Sequence, residues 1–326
     1  MVLSLLVLSV SVRSDELPYP EVTAPFQVHQ VSETPIYYVL GTPGVPDSVN
    51  QGHTSNAGFV ITDDGVVVYD ALGTPALGYR LLQAIRELTD QPVRYVIAGH
   101  YHADHIYGLQ AFAQHSDAEI VAQSSALQYL SGDVRLTSES ADQRLEQRRE
   151  ALFPWVDEDS YVVTPDRLFE RQWSFELGGI RFKAVHLGPA HAPSDSILIV
   201  ENFAVVFSGD LIYRGRVPYL DSPEVKTGHW LEGLDYLLSL DPPPRLIIPG
   251  HGDVSDNPLQ AIRFTRDYLQ YLRDQMAAAV ADFIPFDEAY DQTDWSAYQD
   301  LPAFNASNRG NAYRVYLEME AESLKG

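Results

Sequence analysis

The chain has 326 residues, 45% of them hydrophobic and 21% charged, an ordinary globular composition with enough apolar mass for one large domain or two modest ones. Its 22 basic residues against 45 acidic ones give a net charge of −23, which argues against gripping nucleic acid or an anionic membrane by bulk electrostatics, and 19 Tyr, 13 Phe and 4 Trp argue against disorder. There is no cysteine, which excludes disulfides, thiolate metal sites and a cysteine nucleophile; any metal must be held by the 10 histidines and by carboxylates.

Residues 3–12 (LSLLVLSVSV) form an apolar run, far short of the ~20 residues a spanning helix needs but suited to a secretory signal. We read 1–14 as a signal peptide cut before Asp15, which places the mature protein in the periplasm or outside the cell, with no membrane span left. Residues 26–31 and 36–40 read as strands, as do Ala57–Thr62 and Val66–Tyr69, joined by the turn Asp63-Asp64-Gly65. Pro75 opens a helix to Thr89 with Leu81, Leu82, Ile85 and Leu88 on one face. The apolar run Val93–Ala98 is a buried strand ending at Gly99. A helix over 107–115 and a strand over Glu119–Ala122 follow, and 137–152 is expected as a charged helix outside the core. Strands recur over 173–177, 180–186, 196–200 and 203–207, then a helix over 229–239 and the strand Leu246–Ile248. Asn257-Pro258 is an N-cap with proline at the first helical position; it opens a long helix toward Ala281, and a last helix covers 308–323. Residues 26–254 read as one domain and 255–326 as a helical extension packed on it.

The chemistry is concentrated at His100-Tyr101-His102-Ala103-Asp104-His105, three imidazoles and a carboxylate within six residues, directly after the strand 93–98. His100 and His102 point the same way, because side chains along an extended segment repeat every two residues. Asp104 and His105 lie on the turn into the next helix and can face a second position, so one loop can serve two metal ions ~3.5–4 Å apart. Six residues do not complete two coordination spheres. Three further strand ends supply candidates, each a small residue followed by one His or Asp: Pro189-Ala190-His191, Ser208-Gly209-Asp210 and Pro249-Gly250-His251. Strand ends of open α/β sheets are where such folds place their sites.

With these motifs the chain resembles the metallo-β-lactamase superfamily over about residues 35–255. The resemblance implies an α/β fold, the αββα metallo-β-lactamase-like sandwich, here with a C-terminal helical extension. It also implies two Zn2+ ions, the first held by His100, His102 and His191, the second by Asp104, His105 and His251, with Asp210 bridging. The implied reaction is hydrolysis by a metal-bridging hydroxide attacking the carbonyl of a small ester, thioester, lactone or amide, a β-lactam included, with Asp104 and Asp210 as catalytic carboxylates. With no cysteine, the position of Asp210 looks like glyoxalase II and lactonases rather than the Cys-ligand lactamases. The stretches GHTSNAGFVIT (52–62), HYHADHIYGLQAF (100–112), DLIYRGRVPY (210–219) and LPAFNASNRGNAYRVYLEME (301–320) look closer to one branch, the periplasmic zinc metallohydrolases found with sulfur-oxidation and quinoprotein-relay systems. Persulfide dioxygenases share the fold and use one Fe held by two His and a carboxylate; His100, His191 and Asp210 leave that alternative open.

Other residues are weighed on position. His186 sits inside a strand and His191 follows the Gly-Pro turn, so His191 is preferred as the ligand. Asp195 reads as a capping residue. His53 and Asn56, in a loop before a strand, are candidate substrate contacts. So are Tyr213, Arg216 and Tyr219, which together with Arg214 are expected in a loop over the metals, where arginine suits an anionic or carbonyl substrate. The expected partner is a small-molecule substrate, not a nucleic acid. His29, His115 and His229 are left as structural.

Overall fold

The structure is a computed structural model describing residues 17–131, 141–220 and 222–324. The expected signal peptide, 1–14, lies outside the described residues, as do positions 137–140 of the expected charged helix. Strands β1 (Val28–Gln30), β2 (Ile36–Val39), β3 (Ala57–Thr62) and β4 (Gly65–Tyr69) form an antiparallel meander. Strands β5 (Val93–Ile97), β6 (Glu119–Gln123) and β7 (Arg167–Phe169) extend it in parallel to a seven-stranded sheet. A second sheet has the order β12-β11-β10-β9-β8, from β8 (Gln172–Leu177), β9 (Ile180–His186), β10 (Ser196–Val200), β11 (Val205–Tyr213) and β12 (Leu246–His251); only the β11–β12 pair is parallel.

Side-chain alternation explains how the two sheets become four layers. All five residues of β4 are buried; Val67 and Tyr69 face the second sheet, while Val66 and Val68 face helices. In β12, Ile248 faces inward and Ile247 outward. A sheet covered on both faces reads as a continuous apolar run rather than an alternating one. Between the sheets, Phe182, Leu198 and Phe207 meet Val67, Ile97 and Val121. Truncating a ring as buried as Phe207 to alanine costs roughly 3–5 kcal/mol.

On the first sheet lie α1 (Pro75–Leu88), α2 (Ala103–Ile106), α3 (Leu109–His115) and α5 (Ala141–Leu152), contributing Leu77, Ile106, Phe112 and Leu145 to one apolar layer. Thr74 caps α1, its side chain accepting from Leu77 N at 3.2 Å, with Pro75 in the first turn. On the second sheet lie α6 (Thr227–Leu238), α7 (Pro258–Ala281) and α9 (Phe304–Ser323), contributing Trp230, Leu269 and Val315. Asn257 caps α7 as the sequence suggests, accepting from Gln260 N.

Several boundaries differ from expectation for identifiable reasons. The helix expected over 107–115 begins at Leu109 as α3, and a separate short helix, α2, precedes it directly after His102, the two parted at Gly108. A Cβ on Gly108 would lie 1.7 Å from Ala71 O and 2.9 Å from Gly78 Cα, so glycine is what lets α1 approach this turn. The charged helix is not outside the core: Ala141, Leu145 and Leu152 share one face and are buried. The expected strand 203–207 begins instead at Val205 and continues to Tyr213, because β11 pairs with β12 through two register shifts that carry Asp210 inside the strand. The short elements α4 (Ala126–Leu130), β7 and α8 (Phe286–Gln292) have no periodic signature long enough to read. Residues beyond 255 share an apolar layer with Val206 of β11 and Ile247 of β12, so the helical part is built onto the second sheet. Among the described residues no helix is long and apolar enough to cross a membrane.

Candidate metal centre

Strands β5, β9 and β12 deliver a chemical group at or beyond their C-terminal ends, and β11 delivers one from within its C-terminal half. His100 and His102 follow β5, and the first turn of α2 adds Asp104 and His105. His191 sits in the turn between β9 and β10, Asp210 lies within β11, and His251 is the last residue of β12. At β12, glycine is required beside the ligand: a Cβ on Gly250 would lie 2.0 Å from Asp210 Oδ1.

The seven side chains converge. His100, His102 and His191 bring ligand atoms within 4.8 Å of one another; so do His100, His105 and Asp210, and so do Asp104, His105 and His251. Asp210 is the common neighbour. Its Oδ2 lies 3.3 Å from His191 Nε2, 3.2 Å from His251 Nε2 and 4.0 Å from His100 Nε2, and its Oδ1 lies 3.2 Å from His105 Nε2. Asp104 Oδ2 lies 3.3 Å from His251 Nε2 and 3.7 Å from His105 Nε2.

Three of the imidazoles are oriented from behind. His105 Nδ1 is 2.8 Å from Asp70 Oδ2, His191 Nδ1 is 3.0 Å from Tyr219 O, and His251 Nδ1 is 2.8 Å from Thr54 O. Each acceptor selects the Nδ1–H tautomer and leaves Nε2 facing the cluster, the arrangement by which proteins aim metal-binding histidines. Asp70 is itself held, its Oδ1 accepting from Gly99 N at 2.7 Å. The Tyr213 hydroxyl donates to Asp210 Oδ2. Within the cluster, His100 Nδ1 and Nε2, His105 Nε2 and Asp210 Oδ1 are buried yet make no hydrogen bond. Unpaired buried polar atoms are costly, and these are of the atom types that ligate divalent metals, so the donor set fits such ions.

The electrostatics divide the cluster. Burial depresses His100 well below the ordinary histidine range, the neighbouring His105 adding to it, and burial with His191 takes His102 to about 3. Burial lowers His191 too, against the pull of Asp210. For His251 the burial penalty is outweighed by Asp210 and Asp104, which lift it to about 9, and the same carboxylates with Asp70 hold His105 well above its usual value. Asp210 and Asp104 are in turn held well below the carboxylate range: burial opposes this, but His105 and His251 outweigh it. Burial and then Asp210 push Tyr213 up, keeping its hydroxyl a donor.

The centre opens into a cavity of about 690 Å³ lined by Asp104, Asp210, His102, His191 and His251 at its floor. Tyr213, Arg216 and Tyr219 line it, but Tyr213 belongs to strand β11 rather than to a loop. His53 and Asn56 do not line it. His53 is buried against Phe26 with Nδ1 on Pro25 O at 3.1 Å, and burial takes it down to about 4. Asn56 ties β3 to β12, its Nδ2 donating to Pro249 O and Gly252 O at 2.8 Å each. His53 Nδ1 and the Asn56 amide are thus turned to backbone groups rather than to the cavity, and His53 Nε2 is buried without a hydrogen bond. Arg214 likewise turns away, donating to Val254 O at 2.7 Å. His186 stays outside the cluster, its Nδ1 2.9 Å from Asp195 O, and Asp195 caps the 191–195 turn by accepting from Ala192 N at 2.6 Å. His29 stacks on Tyr38, and His115 packs between Tyr19 and Tyr79.

Sequence reasoning missed Asp70, which follows the apolar strand Val66–Tyr69 directly, without the small residue that marked Asp210. It also missed Arg144 and Arg148 of α5, Tyr101 and Tyr129, and Ala303 and Ser307 at the start of α9, all of which line the cavity. Their roles depend on tertiary placement and leave no local mark.

The site thus combines an αββα sandwich with a His/Asp donor set of the kind that can hold divalent metal. Residues 51–251 match the family model of the metallo-beta-lactamase superfamily, and the chain belongs to that superfamily. Similar curated proteins are a linear primary-alkylsulfatase of a Pseudomonas species, 24% identical over 243 residues and 65% of this chain, and a hydroxyacylglutathione hydrolase of Haemophilus influenzae, 26% identical over 174 residues, 53% of this chain and 74% of that protein. The chain spans 44% of the alkylsulfatase's length. Among solved structures, a metallo-beta-lactamase from Pontibacter korlensis superposes with a TM-score of 0.55 at 18% identity, covering 76% of this chain and 99% of that one. A stereoselective inverting sec-alkylsulfatase from a Pseudomonas species gives 0.68 at 17% identity, covering 90% of this chain and half of that one.

Proposed function

We propose that the protein is an exported, two-zinc hydrolase of small esters, thioesters, lactones or amides that carry an anionic group. The observation that carries the reading is the set of buried, unpaired ligand atoms on His100, His105 and Asp210, grouped within 4.8 Å of one another beside a cavity that Asp210 lines. His100, His102 and His191 would hold one ion, Asp104, His105 and His251 the other, with Asp210 between them. Bound there, the ions supply a water acidic enough to attack at neutral pH and an electrophile for the substrate oxygen. The chain's part is positional. Asp70 and the carbonyls of Thr54 and Tyr219 fix the imidazoles, and Tyr213 holds Asp210. Asp104, the more exposed of the two carboxylates at 19% against 3%, and Asp210 are the candidate catalytic carboxylates, kept ionised by His105 and His251.

Outside the ligand set the cavity carries Arg144, Arg148 and Arg216 against one acidic residue, Glu224, in a chain of net charge −23. That local reversal of sign favours a substrate with a negative group, which arginine recognises well. Among the relatives, an alkylsulfatase and a hydroxyacylglutathione hydrolase suggest an alkyl sulfate and an acylglutathione as probes. A second reading, one iron ion in an oxygen-consuming enzyme, is favoured by the group His100, His105 and Asp210, two imidazoles and a carboxylate. Elemental analysis of the purified protein followed by turnover assays on the same sample separates them, the panel including nitrocefin, thioesters, lactones and alkyl sulfates. Near two zinc per chain with ester or thioester cleavage supports the first; one iron with oxygen consumption sinks it. Export is checked by sequencing the N-terminus of the protein recovered from the periplasm.

A further inference from the structure

The stretch LPAFNASNRGNAYRVYLEME (301–320) lies outside residues 51–251 and contributes no group to any of the candidate ligand sets. Yet its helix α9 buries Asn308 and Asn311 completely. Burying an amide is unfavourable unless its hydrogen bonds are replaced, and here each amide is engaged at both ends. Asn311 Oδ1 accepts from Leu220 N at 2.8 Å; its Nδ2 donates to Pro218 O at 2.7 Å and to Tyr268 Oη at 2.8 Å. Tyr268 of α7 donates to Asn308 Oδ1 at 2.8 Å, and Asn308 Nδ2 donates to Tyr290 Oη of α8 at 3.1 Å. Each of the three C-terminal helices thus adds a link to one polar chain. That chain ends on a single segment of backbone, which Pro302 O also holds through Val217 N at 3.2 Å.

Pro218 and Leu220 flank Tyr219, and the Tyr219 carbonyl accepts from His191 Nδ1 at 3.0 Å. One side chain therefore clamps the backbone on both sides of the carbonyl that orients a candidate ligand. We propose that Asn311 is a positioning residue of the metal centre: by holding residues 218–220 it fixes the Tyr219 carbonyl, and through it the Nδ1–H tautomer of His191, with Nε2 directed at His102 Nδ1, 2.9 Å away, and Asp210 Oδ2, 3.3 Å away. The inference rests on reading the seven-residue cluster as a metal centre. The C-terminal helices then do more than cover apolar surface, since they set the geometry of His191, a residue 120 positions earlier in the chain.

The test uses the full chain and three readouts: imidazole 15N–1H spectra of the metal-free protein, zinc affinity by chelator competition, and Tm. The wild type is expected to show His191 as a single Nδ1–H tautomer. Asn311→Ala mixes the tautomers and weakens one zinc equivalent roughly 10- to 100-fold, the usual loss when a group behind a ligand is removed, with the other equivalent unchanged. Tyr268→Phe removes the hydroxyl shared by both asparagines but leaves Asn311 on residues 218 and 220; it lowers Tm while tautomer and affinities stay as in the wild type. If Asn311→Ala does not fold, Asn311→Asp keeps the acceptor for Leu220 N, removes the donor to Pro218 O, and shows the same two changes. An Asn311 variant that lowers Tm while retaining the His191 tautomer and both zinc affinities overturns the proposal. A wild type with the fixed tautomer and no zinc binding overturns the metal reading and leaves the positioning of His191 standing.

Discussion

In the triad His100, His102 and His191, the Asp210 carboxylate lies 4.0 Å from His100 and 3.3 Å from His191, whereas His105 and His251 each lie within 3.7 Å of both Asp104 and Asp210. Burial is similar in the two triads, so the carboxylates decide the difference. In the first triad desolvation wins and the imidazoles are neutral; in the second the carboxylates win and His251 rises to about 9. A metal takes neutral imidazole. The first triad is therefore ready for an ion at neutral pH, and the second must give up protons to receive one. Two halves of one cluster, built from the same residue types, are expected to load differently.

Asp210→Ala should have the largest effect, since it removes the carboxylate both halves share. Metal-dependent turnover is expected to fall by on the order of 10²- to 10³-fold or more, the range for deleting a preorganised electrostatic group. His251 should lose its strongest upward influence and titrate well below 9 by NMR. Turnover near wild type would place the chemistry elsewhere. Asp70→Asn comes next: it turns an amide NH2 toward His105 Nδ1, disfavouring the tautomer that frees Nε2. Affinity for the ion on the second triad should drop roughly 10- to 100-fold, with that on the first triad retained; equal loss on both would erase the asymmetry.

The distinction is sharpened by pH. Calorimetric zinc titrations in buffers of different ionisation enthalpy should show more proton release for the second equivalent. Its affinity should rise with pH up to about pH 9 by at most about tenfold per unit for each proton displaced, and that of the first equivalent should change little above pH 6.5. The smallest effect falls on His53, a buried histidine outside both triads. Its folded value of about 4 lies below the unfolded value of about 6.5, so the unfolded chain binds the extra proton and stability falls as pH drops through that window. His53→Gln keeps a donor for Pro25 O and removes the titration. Relative to wild type it should gain up to about 3 kcal/mol in urea unfolding between pH 6.5 and 4; no relative gain would mean that His53 is not buried as a neutral imidazole.

His100, His191, Asp210 and His251 were legible because each follows the same local rule, an apolar strand, a small residue, then one His or Asp, and His102, Asp104 and His105 because they crowd into the same six residues as His100. The layers were legible for a related reason, since a run such as Val66–Tyr69 suits a sheet covered on both sides. What escaped is what depends on distant neighbours. The strand before Ser208-Gly209-Asp210 reads as ending at 207, and it is pairing with β12 that carries it on to Tyr213. The charged helix reads as solvated because its three buried positions are outnumbered by Arg, Gln and Glu. Neither the carbonyls of Thr54 and Tyr219 nor the Asn311 amide has any signature of its own, because backbone orientation across 28 or more residues is set only by the finished fold.

Metal content per chain is the most direct test, measured by elemental analysis on the wild type and on His191→Ala and His251→Ala after zinc loading at pH 7.5. Two triads meeting at Asp210 predict about two zinc ions in the wild type and about one in each variant, the ion retained by His251→Ala being the tighter. A wild type that holds one ion or none, or variants that keep the wild-type content, would contradict the account.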